Sequence, residues 1–214
     1  IEIPELFTTY KYQSFSNKKK YNFCLLTSSK KRREIRTSFF EYLKSSCSHL
    51  MHSEKSYISD LQKSLNPVDY QEKTYELKYH NIEPQENSYF ELVMETNQSK
   101  EFTLLSEKIC KTIIAGIPFI ALADPNFYDT LHKLGFKTFN GIIDESWASL
   151  ECNQEKFYRM KCEINRIEKI GFENFYKMCR DICQHNYNHM AYVASMQLRL
   201  REQRVLNLID ELRV

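Results

Sequence analysis

The chain has 214 residues, of which 42% are hydrophobic and 27% charged, and its formal net charge is +2. This composition excludes a disordered or collagen-like chain, and the small net charge argues against a globally basic nucleic-acid binder. With 4 glycines and 5 prolines, the sequence contains neither a Walker P-loop nor a G-x-G-x-x-G dinucleotide motif. No apolar run reaches the roughly 18 residues of a transmembrane helix, so we expect no membrane span. The 7 cysteines, in a sequence without the apolar core of a signal peptide, favour reduced thiols in the cytoplasm.

The first half of the chain predicts few regular elements. In chain order they are an irregular lead (1–20), a strand (YNFCLLT, 21–27), a polar basic loop (28–34), a helix with apolar residues four apart (Ile35, Phe39, Leu43 and Cys47) and a second short strand (SHLMH, 48–52). Residues 53–86 are polar and show no clear period, so they carry no prediction.

The second half alternates between strand and helix patterns. In order these are a strand (89–96), a helix (104–116), an apolar strand (117–123), a helix (124–135) and a short strand (136–139). Ser106 is the expected cap of the first helix and Gly116 its end. The second helix has Asp124 as its expected cap, Pro125 at its first position and Gly135 as its end. This alternation predicts right-handed crossovers and a parallel sheet. From Gln154 onward the pattern is helical, with one helix ending at Gly171, a next helix that carries Phe175, Cys179 and Ile182, and a last helix that carries the stripe from Ala191 to Leu212. We therefore predict an α/β fold with a Rossmann-like parallel sheet flanked by helices and a helical C-terminal extension.

The loop after the first predicted strand is strongly basic. Between Lys18 and Arg36 the sequence has eight basic residues and one acidic residue. Arginine and lysine at the end of a strand and the start of a helix suit a phosphate group, because the helix N-terminus adds N–H donors. The alternative is a solvated basic loop without a ligand.

A second polar loop follows the strand 89–96. Glu95 lies at the end of that strand, and Ser106, Glu107 and Lys108 open the next helix. A carboxylate at a helix N-terminus can accept hydrogen bonds from a ribose diol while the neighbouring lysine contacts a diphosphate. The same residues would also fit a favourable charge at the helix N-terminus beside a solvated lysine.

Several short motifs of this chain, in order, resemble known glycosyltransferases. Residues 89–124 are similar to the donor-binding core of the α1,3-fucosyltransferases, which has an apolar strand ending in Phe-Glu-Asn-Ser, then Thr-Glu-Lys-Leu and a Val-Pro-Val-Val strand. Residues 21–46 are similar to the same family's first strand, Ser-Asn loop and Arg-bearing helix. The chain also resembles phage and giant-virus glycosyltransferase-like proteins in three motifs, SEKICK (106–111), GFKTF (135–139) and DESW (144–147). Together these likenesses cover about residues 20–150.

The resemblance implies sugar transfer from a nucleoside diphosphate sugar to a hydroxyl acceptor. Residue by residue, it implies a catalytic Glu95 beside the sugar and a donor-binding set with Glu107 on the ribose, Lys108 on the diphosphate, Arg33 or Arg36 on a phosphate, and Ser106 and Lys111 in the same motif. This chain departs from the family with Met94-Glu95-Thr96-Asn97 for Phe-Glu-Asn-Ser, and with Trp147 for the viral Tyr. The implied organisation is an irregular lead (1–20), a nucleotide-sugar-binding domain (21–150) and a helical region (151–214).

Two further features bear on cofactors. Nucleotide-sugar enzymes that hold Mn²⁺ or Mg²⁺ use an Asp-x-Asp motif, and the sequence has none, so we expect no metal and no cofactor besides the donor substrate. The residues Cys179, Cys183, His185 and His189 are zinc-ligand types. On one continuous helix the cysteines and histidines face different ways, so we interpret them as core cysteines and surface histidines.

The sequence leaves the role of Trp147 and the function of the chain open to alternatives. Trp147, the sole tryptophan, either stacks on a ligand or packs in the core, and packing is favoured. The chain could be a non-catalytic nucleotide-binding or assembly module, or a nucleic-acid-binding protein that uses the basic run 18–36.

The expected partners are a nucleotide sugar and either a missing N-terminal acceptor domain or a second copy of the chain. A homodimer through residues 190–214 would use a stripe with nearly heptad spacing, formed by Ala191, Ala194, Leu198, Val205 and Leu212. The expected location is the cytoplasm, including that of a host cell if the protein is viral.

Overall fold

A four-stranded parallel sheet forms the centre of the described structure. The computed structural model describes residues 18–27, 34–60, 82–95, 103 and 105–211. In these ranges the strands are β1 (Phe23–Thr27), β2 (Ser56–Asp60), β3 (Glu91–Met94) and β4 (Phe119–Leu122). They are ordered β2-β1-β3-β4, and every pair is parallel. The α/β class with a parallel sheet is therefore confirmed.

Helices connect and cover these strands. In the described residues they are α1 (Glu34–Ser46), α2 (Ser48–Met51), α3 (Glu83–Glu86), α4 (Glu107–Ile114), α5 (Phe127–Lys133), a 3-10 turn (Ser146–Ser149), α6 (Asn153–Ile170) and α7 (Phe172–Glu211). None of the helices in the described ranges combines the length and the apolar character that crossing a bilayer needs.

The two crossovers place helices on both faces of the sheet. The chain moves from β1 through α1 to β2 on one side, and from β3 through α4 to β4 on the other, so right-handed crossovers put α1 and α4 on opposite faces. On one face α6 covers α1, where the Phe39 and Phe157 rings lie 5.0 Å apart. On the other face α7 packs against α4. The predicted helical C-terminal region therefore wraps both layers.

Two predicted strands are wrong. Residues 48–52 contain the short helix α2, and the second strand is Ser56–Asp60, inside the polar region that showed no period. Because β2 is an edge strand of the described sheet, it needs few apolar residues. Residues 136–139 are not a strand, because side chains already bond the outer edge of β4: the Ala121 N–H donates to Tyr128 Oη at 3.2 Å, and its carbonyl accepts from Trp147 Nε1 at 3.1 Å.

The sequence predicted the two ends of α4 correctly and the start of α5 wrongly. Ser106 is the N-cap of α4, where its hydroxyl accepts the Lys108 N–H at 3.2 Å, and Gly116 follows that helix with φ of 65°. At α5 the predicted cap is wrong by two positions: Asn126 is the N-cap and Pro125 lies before the helix. Asp124 instead accepts the Asn126 N–H at 3.0 Å.

The predicted break at Gly171 is confirmed, but the division of the following residues into two helices is wrong. Gly171 adopts φ of 89° between α6 and α7. After it, α7 continues without interruption for 40 residues. At about 1.5 Å per residue this helix is roughly 60 Å long, longer than the sheet that it covers.

Candidate functional site

The candidate site lies at the carboxyl edge of the sheet, beside the point where the strand order reverses. In an open parallel sheet, ligands bind in the crevice between neighbouring strands whose connections leave in opposite directions. Here those strands are β1 and β3. Glu95 directly follows β3, and Asp124 follows β4, which lies next to it.

Glu95 is a buried carboxylate that bonds the start of α4. Its side chain is only 1% exposed, and its N–H extends the sheet by donating to the Leu122 carbonyl at 2.9 Å. The Ser106 hydroxyl donates to Glu95 Oε1 at 2.8 Å. The side chain therefore joins the end of the strand to the cap of the helix that follows it.

Lys108 brings a positive charge to the same place. Its Nζ lies 3.7 Å from Glu95 Oε2 and 3.8 Å from Glu107 Oε1, so the ammonium group bridges the two carboxylates. The Lys108 and Glu107 side chains are 16% and 21% exposed, in contrast to Glu95. These two side chains are therefore in partial contact with solvent, whereas Glu95 is buried.

A second carboxylate fixes the loop that leads into α4. Thr103 Oγ1 donates to Asp124 Oδ1 at 2.7 Å, and Asp124 is 1% exposed. Glu95 and Asp124 thus hold two points of the connection between β3 and α4 against the ends of their strands. We expect this double attachment to orient the first turn of α4, which presents backbone N–H groups and the Lys108 ammonium.

The predicted site residues are brought together only in part. Glu95, Ser106, Glu107 and Lys108 form one cluster, which we call the carboxyl-edge cluster. Arg36 lies in the first turn of α1, after β1, and is 2% exposed. Lys111 is 3% exposed on α4, where its charge acts on Glu91 within the interior. Arg33 lies outside the described residues.

Glu91 is an ionisable group that the sequence analysis missed. It lies at the start of β3, 1% exposed, and it accepts hydrogen bonds from the Thr112 hydroxyl and, at 3.4 Å, from Gln85 Nε2. Burial raises the pKa of Glu91 to about 7, although these hydrogen bonds and the charges of Lys111 and Lys108 oppose the shift. A glutamate inside the apolar run YFELVM was the signal that could have indicated it.

Glu145 is a second carboxyl group that the sequence analysis did not assign. Its Oε1 accepts the Phe139 N–H at 2.8 Å. Burial raises its pKa to about 7, against the opposing effect of a hydrogen bond from Thr138. The same threonine hydroxyl lies 3.0 Å from His132 Nε2, so Glu145 supports the turn after α5.

Trp147 packs in the core, as the sequence analysis favoured. Its side chain is 1% exposed and its Nε1 donates to the Ala121 carbonyl. An indole in this position stabilises the outer edge of β4 and does not face a ligand.

The zinc-type residues on α7 serve the packing of that helix. Cys179 and Cys183 are buried in the core. His185 Nε2 contacts the Gly135 carbonyl at 3.1 Å, and His189 Nε2 contacts the Leu134 carbonyl at 2.6 Å. Between the histidines, Asn186 bonds both the N–H and the carbonyl of Lys137, each at 2.8 Å. In the described ranges no group of three or more metal-ligating side chains comes together.

Comparisons of the chain with protein-family models, with curated proteins and with solved structures gave no match.

Proposed function

We propose that this chain is the donor-binding half of a metal-independent glycosyltransferase, with the nucleoside diphosphate sugar at the carboxyl edge between β1 and β3. The observation that carries the proposal is the carboxyl-edge cluster, in which Glu95, Ser106, Glu107 and Lys108 meet beside the reversal of strand order. The resemblance of residues 89–124 to fucosyltransferases implied the same residues, with Ser106, Glu107 and Lys108 in the donor-binding set and Glu95 as a catalytic residue beside the sugar.

Each accessible member of the cluster fits one part of such a donor. The Lys108 ammonium and the N–H groups of the first turn of α4 suit the diphosphate, because both present positive charge at one helix end. The Glu107 carboxylate, 21% exposed, suits the two hydroxyl groups of a ribose. Binding of the diphosphate would draw Lys108 away from its two carboxylates, and the gained charge-assisted bonds offset that loss.

Glu95 fits a positioning role better than direct contact with the sugar. Glu95 is 1% exposed and accepts a bond from the Ser106 hydroxyl, whereas the Lys108 and Glu107 side chains are partly exposed. We therefore assign to Glu95 the orientation of the Ser106 cap and of the Lys108 ammonium. This modifies the role that the resemblance implied, in which Glu95 would lie beside the sugar.

The proposed reaction breaks the bond between the anomeric carbon and the diphosphate as the acceptor hydroxyl forms a new bond to that carbon. The hydroxyl proton passes to a base, and the departing diphosphate keeps the electron pair of the broken bond. Positive charge from Lys108, with an arginine of the loop after β1, would stabilise that leaving group. The acceptor and the base belong, in this proposal, to a separate acceptor domain. Without such a domain the same site would act as a nucleotide-binding module.

The cysteines are consistent with a cytoplasmic location for this activity. All 7 are free thiols, and 5 of them are buried. We include the cytoplasm in the proposal because thiols persist in a reducing compartment.

A thermal-shift panel of UDP-, GDP-, CMP- and dTDP-linked sugars tests the proposed function. At 100 times its Kd, a donor that binds only the folded state should stabilise it by about 2.7 kcal/mol. For a chain of this size that corresponds to a rise in Tm of roughly 5–10 °C. The unlinked sugars at the same concentrations are the control. If none of the four donors raises Tm above its control, the proposed function is wrong.

A further inference from the structure

The Thr112 hydroxyl on α4 lies between two hydrogen-bond acceptors. Its Oγ1 contacts Glu91 Oε2 on β3, and it lies 3.0 Å from the Lys108 carbonyl oxygen, one turn earlier on α4. A hydroxyl group carries a single proton, so it can donate to only one of these two oxygens at a time. The other contact needs a proton from its own side, and a carbonyl has none to give.

A protonated Glu91 carboxyl satisfies every contact in this group. With the proton on Oε2, the carboxyl donates to Thr112 Oγ1, and the Thr112 hydroxyl donates to the Lys108 carbonyl. Glu91 Oε1 still accepts from Gln85 Nε2 at 3.4 Å. Glu91 is 1% exposed, and Gln85 and Thr112 are 0% exposed, so protein groups must supply these bonds. Once Glu91 loses its proton, the Thr112 hydroxyl turns to the carboxylate, because a hydrogen bond to a charged acceptor is stronger.

The groups that face Glu91 favour a change of its charge near neutral pH. Burial raises the pKa of Glu91 to about 7, and two cations of α4, Lys108 and Lys111, favour its charged form. Cys24 lies opposite Glu91 on β1 and keeps its proton, because burial holds the thiol pKa well above its ordinary value. The other elements around this group contribute neutral polar groups, which are the Gln85 amide of α3, the Pro118 carbonyl before β4 and, packed in one cluster with Cys24, Tyr176 of α7.

Lys108 joins this buried group to the carboxyl-edge cluster. Its carbonyl lies against Thr112, and its ammonium group lies 3.7 Å from Glu95 and 3.8 Å from Glu107. Because the Lys108 charge stabilises an ionised Glu91, an ionised Glu91 in turn stabilises the Lys108 ammonium. An anion that binds this ammonium then competes with one more carboxylate.

We propose that Glu91 and Thr112 form a proton switch that sets the affinity of the first turn of α4 for an anionic ligand. With Glu91 protonated, the hydroxyl bonds the Lys108 carbonyl and the anion binds tightly. With Glu91 ionised, the hydroxyl bonds the carboxylate and the added negative charge weakens anion binding. The anion is the diphosphate of the donor, so this inference rests on the proposed function. By linkage, donor binding near pH 7 takes up a proton.

Calorimetric titration of the best donor from the thermal-shift panel, between about pH 5.5 and about pH 8.5, tests the switch. The wild-type chain should bind the donor at least threefold more weakly at the higher pH. Near pH 7 its binding heat should change with the ionisation enthalpy of the buffer, as proton uptake requires. Glu91→Gln, whose amide stays neutral, should keep the tight affinity at both pH values. The matched control is Glu145→Gln, which removes another carboxyl with a pKa of about 7 and should keep the wild-type pH dependence.

Two variants of Thr112 test the hydroxyl itself. Thr112→Val removes the donor that the ionised carboxylate needs, so it should move the loss of affinity to higher pH, whereas Thr112→Ser should keep the wild-type midpoint. Equal wild-type affinities at both pH values overturn the switch and leave the proposed function intact. So does a pH dependence that survives in Glu91→Gln, or a midpoint that Thr112→Val leaves in place. A panel in which no donor binds at any pH overturns the proposed function and the switch together.

Discussion

At the scale of single residues, Glu91 gives the folded chain an unusual dependence on pH. The pKa of its carboxyl is about 7 in the folded state, above its ordinary value of 4.5. The folded chain therefore binds a proton that the unfolded chain releases between these values. The stability that this group contributes is complete below about pH 4.5 and is lost as the pH rises through 7.

Glu91→Gln should remove this loss, because the amide keeps the shape of the protonated carboxyl and does not ionise. We expect urea denaturation to show the variant more stable than the wild type at pH 8, by up to about 3 kcal/mol, with the difference vanishing near pH 4.5. Glu145, whose pKa is also about 7, leaves a residual slope of the same sign in both proteins. A variant that is less stable than the wild type at pH 8 would contradict the claim that an ionised Glu91 carboxylate destabilises the folded chain at that pH.

Gly135 combines a special backbone conformation with a close contact. Its φ is 88°, and a Cβ there would lie 2.7 Å from His189 Nε2. Gly141 has φ of 91° with nothing within 4 Å of such a Cβ. Alanine substitutions at these two glycines therefore separate the cost of backbone strain, which both share, from the cost of steric overlap, which only Gly135 has.

Gly141→Ala should cost about 1 kcal/mol of unfolding free energy, the usual cost of a left-handed conformation for a residue with a Cβ. Gly135→Ala should cost more, about 2–4 kcal/mol, because His189 must also leave the Leu134 carbonyl. Chemical denaturation of both variants measures the difference. Equal losses would mean that the His189 contact is unimportant for stability.

At the scale of elements, the outer edge of β4 is closed by side chains from outside the sheet. The Ala121 N–H bonds the Tyr128 hydroxyl, and its carbonyl bonds the Trp147 indole. Tyr128 is 7% exposed. The hydroxyl thus replaces a neighbouring strand as the partner of a buried backbone group.

Tyr128→Phe removes only this hydroxyl. It should lower the unfolding free energy by about 1–3 kcal/mol, the cost of a buried backbone donor without its partner. The matched control is Tyr158→Phe, since Tyr158 is 56% exposed on α6 and should change stability by less than about 0.5 kcal/mol. Both losses can be followed by Trp147 fluorescence. If the two variants lose the same unfolding free energy, the Ala121 N–H does not need the Tyr128 hydroxyl, because water satisfies it equally well.

The elements that the sequence predicted are those whose signals are local. Ser106 and Gly116 bounded α4 correctly because a cap hydroxyl and a positive φ act within a few residues. Ser56–Asp60 was missed because an edge strand is specified by its pairing with β1, not by its own apolar pattern. Residues 136–139 were predicted as a strand, since nothing in that segment shows that Tyr128 and Trp147 occupy the edge beside it.

At the scale of the whole molecule, the packing of α7 determines how much of α4 is buried. The residues from Ile109 to Ile114 are all buried, because α4 lies between the sheet and α7. The apolar stripe of α4 predicted one buried face only, so the burial of Lys111 could not be anticipated. The meeting of Glu95 with Ser106 and Lys108 was predictable, because Glu95 ends β3 and the helix of the same β-α unit starts at the edge where its strand ends.

Calorimetric titration of the best donor from the thermal-shift panel into Lys108→Ala tests the central claim most directly. The exposed control is Lys177→Ala, which removes a surface cation far along the sequence from the cluster. We expect Lys108→Ala to fold normally and to bind the donor about 10- to 150-fold more weakly, the scale of a lost charge-assisted bond of about 1.5–3 kcal/mol. The control should bind like the wild type. A folded Lys108→Ala chain with unchanged donor affinity would contradict the phosphate role of Lys108 and with it the proposed site.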